Sequence, residues 1–204
     1  MQTGGIILCG GKSSRMGSSK ALLPFGNETL LQRIVRIMSE VLSPIVVVAA
    51  KGQALPALPR EVILQTDREE GKGPLEGLAA GLEAIQNQCD AIFLSSCDVP
   101  FLKKDFVLGM IANLGASKMC IPKTAGFYHP LAAVYRVEIL KEVTELLKKG
   151  QLRPFFLLEK VQGKVIEEPT LIQFDPSLSS LRNLNNQEDF KKAIEDFWEE
   201  SFEK

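Results

Sequence analysis

The sequence predicts a three-layer α/β fold with a mostly parallel central sheet, and two observations carry that expectation. Short apolar runs alternate with longer segments of helical period, and the runs are apolar at successive positions instead of every second one. Continuous apolar runs of about four to eight residues suit strands buried on both faces, as parallel sheets require. Strand and helix in alternation then imply right-handed crossovers that place helices against the sheet.

The expected strands are GIILC (Gly5 to Cys9), PIVVVAA (Pro44 to Ala50), EVILQ (Glu61 to Gln65) and AIFLSS (Ala91 to Ser96). Between the first two, Leu30, Leu31, Ile34, Val35, Ile37, Met38, Val41 and Leu42 recur at helical spacing. Leu75, Leu78, Ala79, Leu82 and Ile85 do the same before the fourth. The second half is less regular. SKMCIP and PLAAVYR read as further strands, Val137 to Lys149 as an amphipathic helix, and KVIEEP as a peripheral strand. A last helix opens after Asn186, a candidate N-cap with Asp189 three residues on, and its stripe of Phe190, Ile194, Phe197 and Trp198 suits a core. No repeat, low-complexity tract or long linker interrupts the chain, so residues 1–204 read as a single domain.

Composition narrows the function classes. With 24 basic and 25 acidic side chains the net charge is −1, without the basic excess of a nucleic-acid or membrane-surface binder. Cys9, Cys89, Cys97 and Cys120 fall at no zinc-like spacing and form no C-x-x-C, which suits a reduced, cytoplasmic protein. The opening residues QTGGIILCGG lack the basic stretch and long apolar run of a signal peptide, and no membrane span is expected.

Three clusters carry chemistry. In the first, LCGGKSSRMGSSKALLPF, a strand ends in Gly10 and Gly11, followed by Lys12, Arg15 and Lys20. It fits neither the P-loop nor the dinucleotide pattern. Paired glycines nevertheless let backbone amides approach an anion, and Arg15 and Lys20 add a planar fork and a mobile point charge. The stretch is either a triphosphate cradle at the carboxyl end of the first strand or an ordinary strand-to-helix turn with solvated cations.

In the second, FLSSCDVPFL, Asp98 follows a strand and precedes Pro100, as a Mg²⁺ ligand or as a turn former before a helix starting near Lys103. Between the two lies QTDREEGKGPLEGLAAGL, where Gly77 and Gly81 sit inside a helix at a cost of roughly 1 kcal/mol each relative to alanine. Close packing against a base or a neighbouring strand would offset that cost. In the third, SSLRNLNNQEDF, Asn183 and Asn185 alternate, so an extended backbone points both amides the same way. The single histidine, His129, stands in GFYHPLAAVYR, and Arg153 in GQLRPFF.

The first cluster resembles the L-x-G-G-x-S-x-R-M-G-x-x-K signature of nucleotidyltransferases, specifically the molybdenum cofactor guanylyltransferases. The G-P-L segment, the C-D-x-P motif and the closing asparagines follow in that family's order, so the resemblance spans nearly the whole chain. It implies a Rossmann-like nucleotidyltransferase fold and Mg²⁺-dependent transfer of GMP from GTP to molybdenum-bearing molybdopterin, with release of pyrophosphate. By the same resemblance Lys20, Arg15 and Asp98 are catalytic, with Asp98 also the metal ligand. Leu8, Cys9, Gly10, Gly11, Lys20, Asp67, Gly77 and Asp98 bind the nucleotide, while Asn183, Asn185, Arg153 and His129 face the acceptor. Transient contact with cofactor-carrying proteins or acceptor oxidoreductases is implied as well. The chain departs from the pattern at Glu76, where the family carries a small residue, and at Ala49 and Ala50, where some relatives carry asparagine. Gln187 and Asn186 also replace the proline and Thr/Ser after the closing asparagines. Cytidylyl or sugar-phosphate transfer on the same fold, or a non-catalytic carrier of pterin or nucleotide, are the competing readings.

Overall fold

Apolar runs become strands, and amphipathic or apolar stretches between them become helices that cover the sheet. The computed structural model describes residues 1–10, 19–67 and 72–202. In chain order the strands are β1 (Thr3–Leu8), β2 (Pro24–Phe25), β3 (Glu28–Thr29), β4 (Ile45–Ala49), β5 (Ile63–Thr66), β6 (Ala91–Ser96), β7 (Met119–Thr124), β8 (Phe127–Tyr128), β9 (Ala133–Arg136) and β10 (Lys164–Glu167). The α-helices are α1 (Leu30–Ser39), α2 (Pro74–Ile85), α3 (Lys104–Leu114), α4 (Leu140–Lys148), α5 (Phe155–Val161), α6 (Glu168–Leu171) and α7 (Gln187–Phe202).

The main sheet runs β10-β7-β9-β6-β1-β4-β5, with β8 paired to β7, while β2 and β3 form a separate antiparallel pair. Strand β1 pairs in parallel with β4 and β6, and β4 with β5. Strand β9 is antiparallel to both β6 and β7, and β10 is parallel to β7. The sheet is therefore mostly parallel, as expected. Because β7 runs in the same sense as β6, the carboxyl ends of β1, β4, β5, β6 and β7 all lie at one edge. Helix α4 follows antiparallel β9 and so climbs back towards that same edge.

Side chains alternate across the sheet. Ile7, Val47 and Phe93 face α1 and α3, whereas Ile6, Val46 and Ile92 face α2, α4 and α5. Helix α1 opens with a capping box, in which Thr29 accepts from the Gln32 amide and the Gln32 side chain accepts from the Thr29 amide. It closes at Ser39, so Val41 and Leu42 complete the apolar stripe from the turn beyond it. The glycines of α2 are offset by strand packing. A Cβ at Gly81 would stand 2.7 Å from Ile6 Cγ2, and one at Gly77 would stand 2.9 Å from Leu8 Cδ2.

Three expectations change. Strand β5 lies at the sheet edge with Leu64 exposed, since an edge strand is covered on fewer sides than the central strands that its composition resembles. In PLAAVYR only Ala133–Arg136 is strand; Pro130–Ala132 makes one 3₁₀ turn, as does Val137–Ile139 before α4. In α7, Phe190, Ile194 and Phe197 pack against Phe25, Leu30, Phe101 and Leu184, but Trp198 is about half exposed. The Arg33 guanidinium lies between the rings of Phe25 and Phe197, 5.2 and 5.0 Å from their centroids. Arg182 pairs with Asp196 and rests 5.0 Å from the centre of the Phe101 ring. These contacts fix the C-terminal segment against the carboxyl edge of the sheet.

Candidate active site

Two adjacent parallel strands deliver the centre of the site. Beyond their last paired residues, the Cys97 amide donates to the Leu8 carbonyl at 3.1 Å, so Cys9 and Cys97 continue β1 and β6 side by side. Asp98 comes next. Its Oδ1 accepts from Ser96 Oγ at 2.6 Å, and its Oδ2 accepts from Lys20 Nζ at 2.7 Å. Lys20 also donates to the Leu184 carbonyl at 2.5 Å, while the Leu184 amide donates to the Asp98 carbonyl at 2.9 Å. Lys20, Asp98 and the C-terminal segment are thus closed into one unit. Lys20 and Asp98 stay partly exposed, with side chains 20 and 14% accessible, so the ion pair borders the cleft.

The candidate nucleotide-side residues assemble around the end of β1. Asp67 follows β5, its amide donating to the Ala49 carbonyl. A Cβ at Gly10 would stand 2.9 Å from Asp67 Oδ2, and one at Gly77 3.4 Å from Asp67 Oδ1. Leu8, Gly10, Asp67 and Gly77 therefore meet, with Cys9 beside them. Burial raises the Asp67 carboxyl above the ordinary value near 3.8, and the Glu76 charge raises it further. Burial, helped by the Asp67 charge, pushes the Cys9 thiol up to about 12, and burial raises Cys97 more strongly. Both sulfurs are thiols at neutral pH, packing groups and not nucleophiles.

One residue missed in the sequence ties this region together. Gln53 Nε2 donates to the Cys9 carbonyl at 2.9 Å and to Ser19 Oγ at 3.1 Å, while its Oε1 accepts from the Ala50 amide at 3.0 Å. Those contacts join both described ends of the glycine-rich loop to the end of β4. A glutamine four residues past a strand carries no local signal for such a role. Gly11, Lys12 and Arg15 lie outside the described residues.

Of the acceptor-side candidates, Asn183 and Asn185 flank the Leu184 member of the Lys20–Asp98 unit, whereas His129 and Arg153 lie apart from it. Leu184 is fully buried, with Asn183 half-buried and Asn185 exposed on either side of it, which fits the expected alternation. Asn186 caps α7 by accepting from the Asp189 amide at 2.9 Å, and the Asp189 carboxylate accepts from the Asn185 amide. His129 Nε2 lies 2.7 Å from Thr124 Oγ1 at the end of β7, and burial lowers its pKa below the ordinary 6.5. Arg153 is exposed where the chain passes from α4 to α5. Phe155 of α5 packs on Tyr128, the neighbour of His129, with ring centres 5.5 Å apart. Among the described residues no hydrogen bond or ion pair links His129 or Arg153 to Lys20 or Asp98.

Asp98 is a hard oxygen donor at the mouth of a cleft, and each carboxylate oxygen retains a lone pair beyond its present hydrogen bond. One carboxylate with phosphate oxygens and water is a donor set that Mg²⁺ accepts. Among the described residues no group of three or more His, Cys, Asp or Glu forms a metal cage, and no helix is long and apolar enough to cross a membrane.

Residues 5–163 match the model of the MobA-like NTP transferase domain. The molybdenum cofactor guanylyltransferase of Desulfosudis oleivorans is 31% identical over 191 residues, covering 93% of each chain. The molybdopterin-guanine dinucleotide biosynthesis protein A of Archaeoglobus fulgidus superposes with a TM-score of 0.78 at 21% identity, over 96% of this chain and 97% of that one. The 2-C-methyl-D-erythritol 4-phosphate cytidylyltransferase of Thermus thermophilus shares the fold at a TM-score of 0.68 and 16% identity, over 97 and 99% of the two chains. On the family match and the full-length relative together, this chain belongs to the MobA-like NTP transferases, among the molybdenum cofactor guanylyltransferases.

Proposed function

We propose that the protein transfers GMP from GTP to the terminal phosphate of molybdenum-bearing molybdopterin, giving the guanine dinucleotide form of the cofactor and pyrophosphate. The observation that carries this reading is the Lys20–Asp98–Leu184 unit at the carboxyl ends of β1 and β6, in a chain whose full-length relative is named for that transfer.

The acceptor phosphate oxygen is a nucleophile at neutral pH, so the reaction needs no general base. The protein's task is to align two polyanions and stabilise charge during in-line displacement at the α-phosphorus. Lys20, fixed at two points, holds its ammonium against the triphosphate without reorganising. The amides around Gly10 and Gly11, with Arg15, complete the cradle for the outer phosphates. Asp98 would hold Mg²⁺, which supplies charge neutralisation on the phosphates as pyrophosphate leaves. Asp67, Leu8 and Gly77 border the nucleoside, and Asn183, Asn185, His129 and Arg153 face the pterin substrate. Transient contact with cofactor-carrying proteins or acceptor oxidoreductases would serve delivery, in the cytoplasm.

The test is pyrophosphate release from GTP, CTP and ATP with Mg²⁺, each with and without molybdenum-loaded molybdopterin. Release from GTP only in the presence of the pterin is the expected result. Preference for CTP moves the protein to the cytidylyl branch, and no release from any nucleotide leaves a carrier.

A further inference from the structure

Helix α2 carries an acid that the phosphate chemistry does not use. Glu76 lies in the first turn of this helix, whose Leu75, Leu78, Ala79 and Leu82 are buried, and is itself only 5% exposed. Among the described residues no hydrogen bond or ion pair reaches its carboxylate. Its carboxylate oxygens are not sealed from solvent, since Glu142 Oε2 is the one wholly buried side-chain atom without a partner among the described residues. A carboxylate on so covered a residue is nevertheless costly without a donor and is ordinarily paired. The charge at position 76 therefore calls for a partner that the described residues do not supply.

Its direction is set by the fold. Strand β5 is parallel to β4, so α2 begins at the carboxyl edge of the sheet, and helical side chains lean back towards the helix N-terminus. Glu76 thus leans towards the cleft, and its charge is felt at Asp67, whose carboxylate lies against Gly10 and Gly77. That corner is on the β4–β5 side of β1, whereas Lys20 and Asp98 lie on the β6 side. The phosphates and this corner are therefore neighbouring parts of one cleft, with the carboxylates at the end away from the ammonium.

An ionised carboxylate only accepts hydrogen bonds. The ligand part it meets must present donors, two side by side for both oxygens. Among the nucleobases only guanine does so on its Watson–Crick edge, through N1–H and the N2 amino group. Adenine and cytosine each place a ring-nitrogen acceptor beside a single amino donor, and uracil sets one N–H between two carbonyl oxygens. Each of these would put lone pairs against the carboxylate.

We propose that the Glu76 carboxylate accepts hydrogen bonds from guanine N1–H and N2–H, making it the residue that selects guanine. The assignment rests on the GTP reading above. A site built around such bonds rejects analogues that lack them, because its own polar group is then left buried and unpaired.

The experiment measures affinity of the full chain for GTP, ITP and ATP with Mg²⁺, together with the melting temperature without nucleotide, for wild type, Glu76→Gln and Glu76→Ala. ITP keeps N1–H but lacks the N2 amino group. Wild type is expected to favour GTP over ITP about 10-fold or more, as a hydrogen bond to a charged group implies. In both variants that ratio should fall towards one, with GTP affinity reduced and the nucleotide-free melting temperature equal or higher. Variants that keep the GTP-to-ITP ratio overturn the assignment and leave the GTP reading standing. Variants that melt earlier and weaken all three nucleotides equally also overturn it, since Glu76 is then a structural part of α2. Wild type that binds ATP as tightly as GTP overturns the GTP reading itself, and this assignment with it.

Discussion

Lys20 Nζ lies 2.7 Å from Asp98 Oδ2, across 78 residues of sequence, and the same nitrogen reaches the Leu184 carbonyl. The two side chains have separable duties. Asp98→Asn keeps an acceptor for Lys20 but loses the charge that a metal needs. Pyrophosphate release at saturating Mg²⁺ should fall on the order of 100–1000-fold, as for loss of one preorganised electrostatic group, with the melting temperature little changed. Turnover within threefold of wild type would sink the metal assignment. Lys20→Ala removes the donor from both partners, so the unfolding free energy should drop by about 1–3 kcal/mol alongside weaker GTP binding, measured by urea titration and by calorimetry.

Gln53 holds the Cys9 carbonyl, Ser19 Oγ and the Ala50 amide together. Gln53→Ala should loosen the loop before nucleotide arrives and leave the chemistry intact once it is bound. KM for GTP is expected to rise about 3- to 10-fold with kcat nearly constant, given roughly 1 kcal/mol per hydrogen bond. A fall in kcat at unchanged KM would mean that Gln53 acts in the transition state.

Gly81 tests the seat of α2 on β1. Alanine gains about 1 kcal/mol of helix propensity, but its Cβ would stand 2.7 Å from Ile6 Cγ2, and overpacking costs about 1–3 kcal/mol. Gly81→Ala should therefore lower stability by up to about 2 kcal/mol. Ile6→Val in the same chain should recover part of the loss, because it removes a methyl group from the crowded side. Urea unfolding of the two single variants and the double variant measures the coupling.

Acidification should destabilise the protein through His129. Burial holds its folded pKa below the ordinary 6.5, so between those two values the unfolded chain binds more protons. The contribution is complete above about pH 6.5 and is lost as pH falls through the window down to the folded value. His129→Gln, which cannot take up that proton, should flatten this part of the pH–stability profile. An unchanged slope in the variant would place the titration elsewhere.

Central strands were legible because burial on both faces leaves a continuous apolar run, as in Ile45–Ala49 and Ala91–Ser96. Strands β5 and β9 were legible as strands too, but the edge position of the one and the antiparallel direction of the other were not, since neither leaves a local pattern in four residues. Lys20 and Asp98 stood out as charges just past apolar strands and Gly77 as a glycine inside a helix, whereas Asp67 was singled out by the family resemblance. The Leu184 carbonyl could not stand out, because every residue has one and only the fold selects which is used. Gln53 was missed for a related reason, a long polar side chain whose partners are mostly backbone atoms. Glu76 was visible as a departure from a resemblance, but its burial and lack of a donor became apparent only once α2 was seated.

The bond from Lys20 to Leu184 has a consequence for biosynthesis. The two residues are 164 positions apart, so a nascent chain can pair β1, β4 and β6 long before residue 184 leaves the ribosome. During that interval the ammonium has Asp98 but not its second anchor, and the aromatic seat of α7 is still empty. A half-made chain thus carries the paired ends of β1 and β6 with an unsecured lysine. Emergence of residue 184 is the step that secures it.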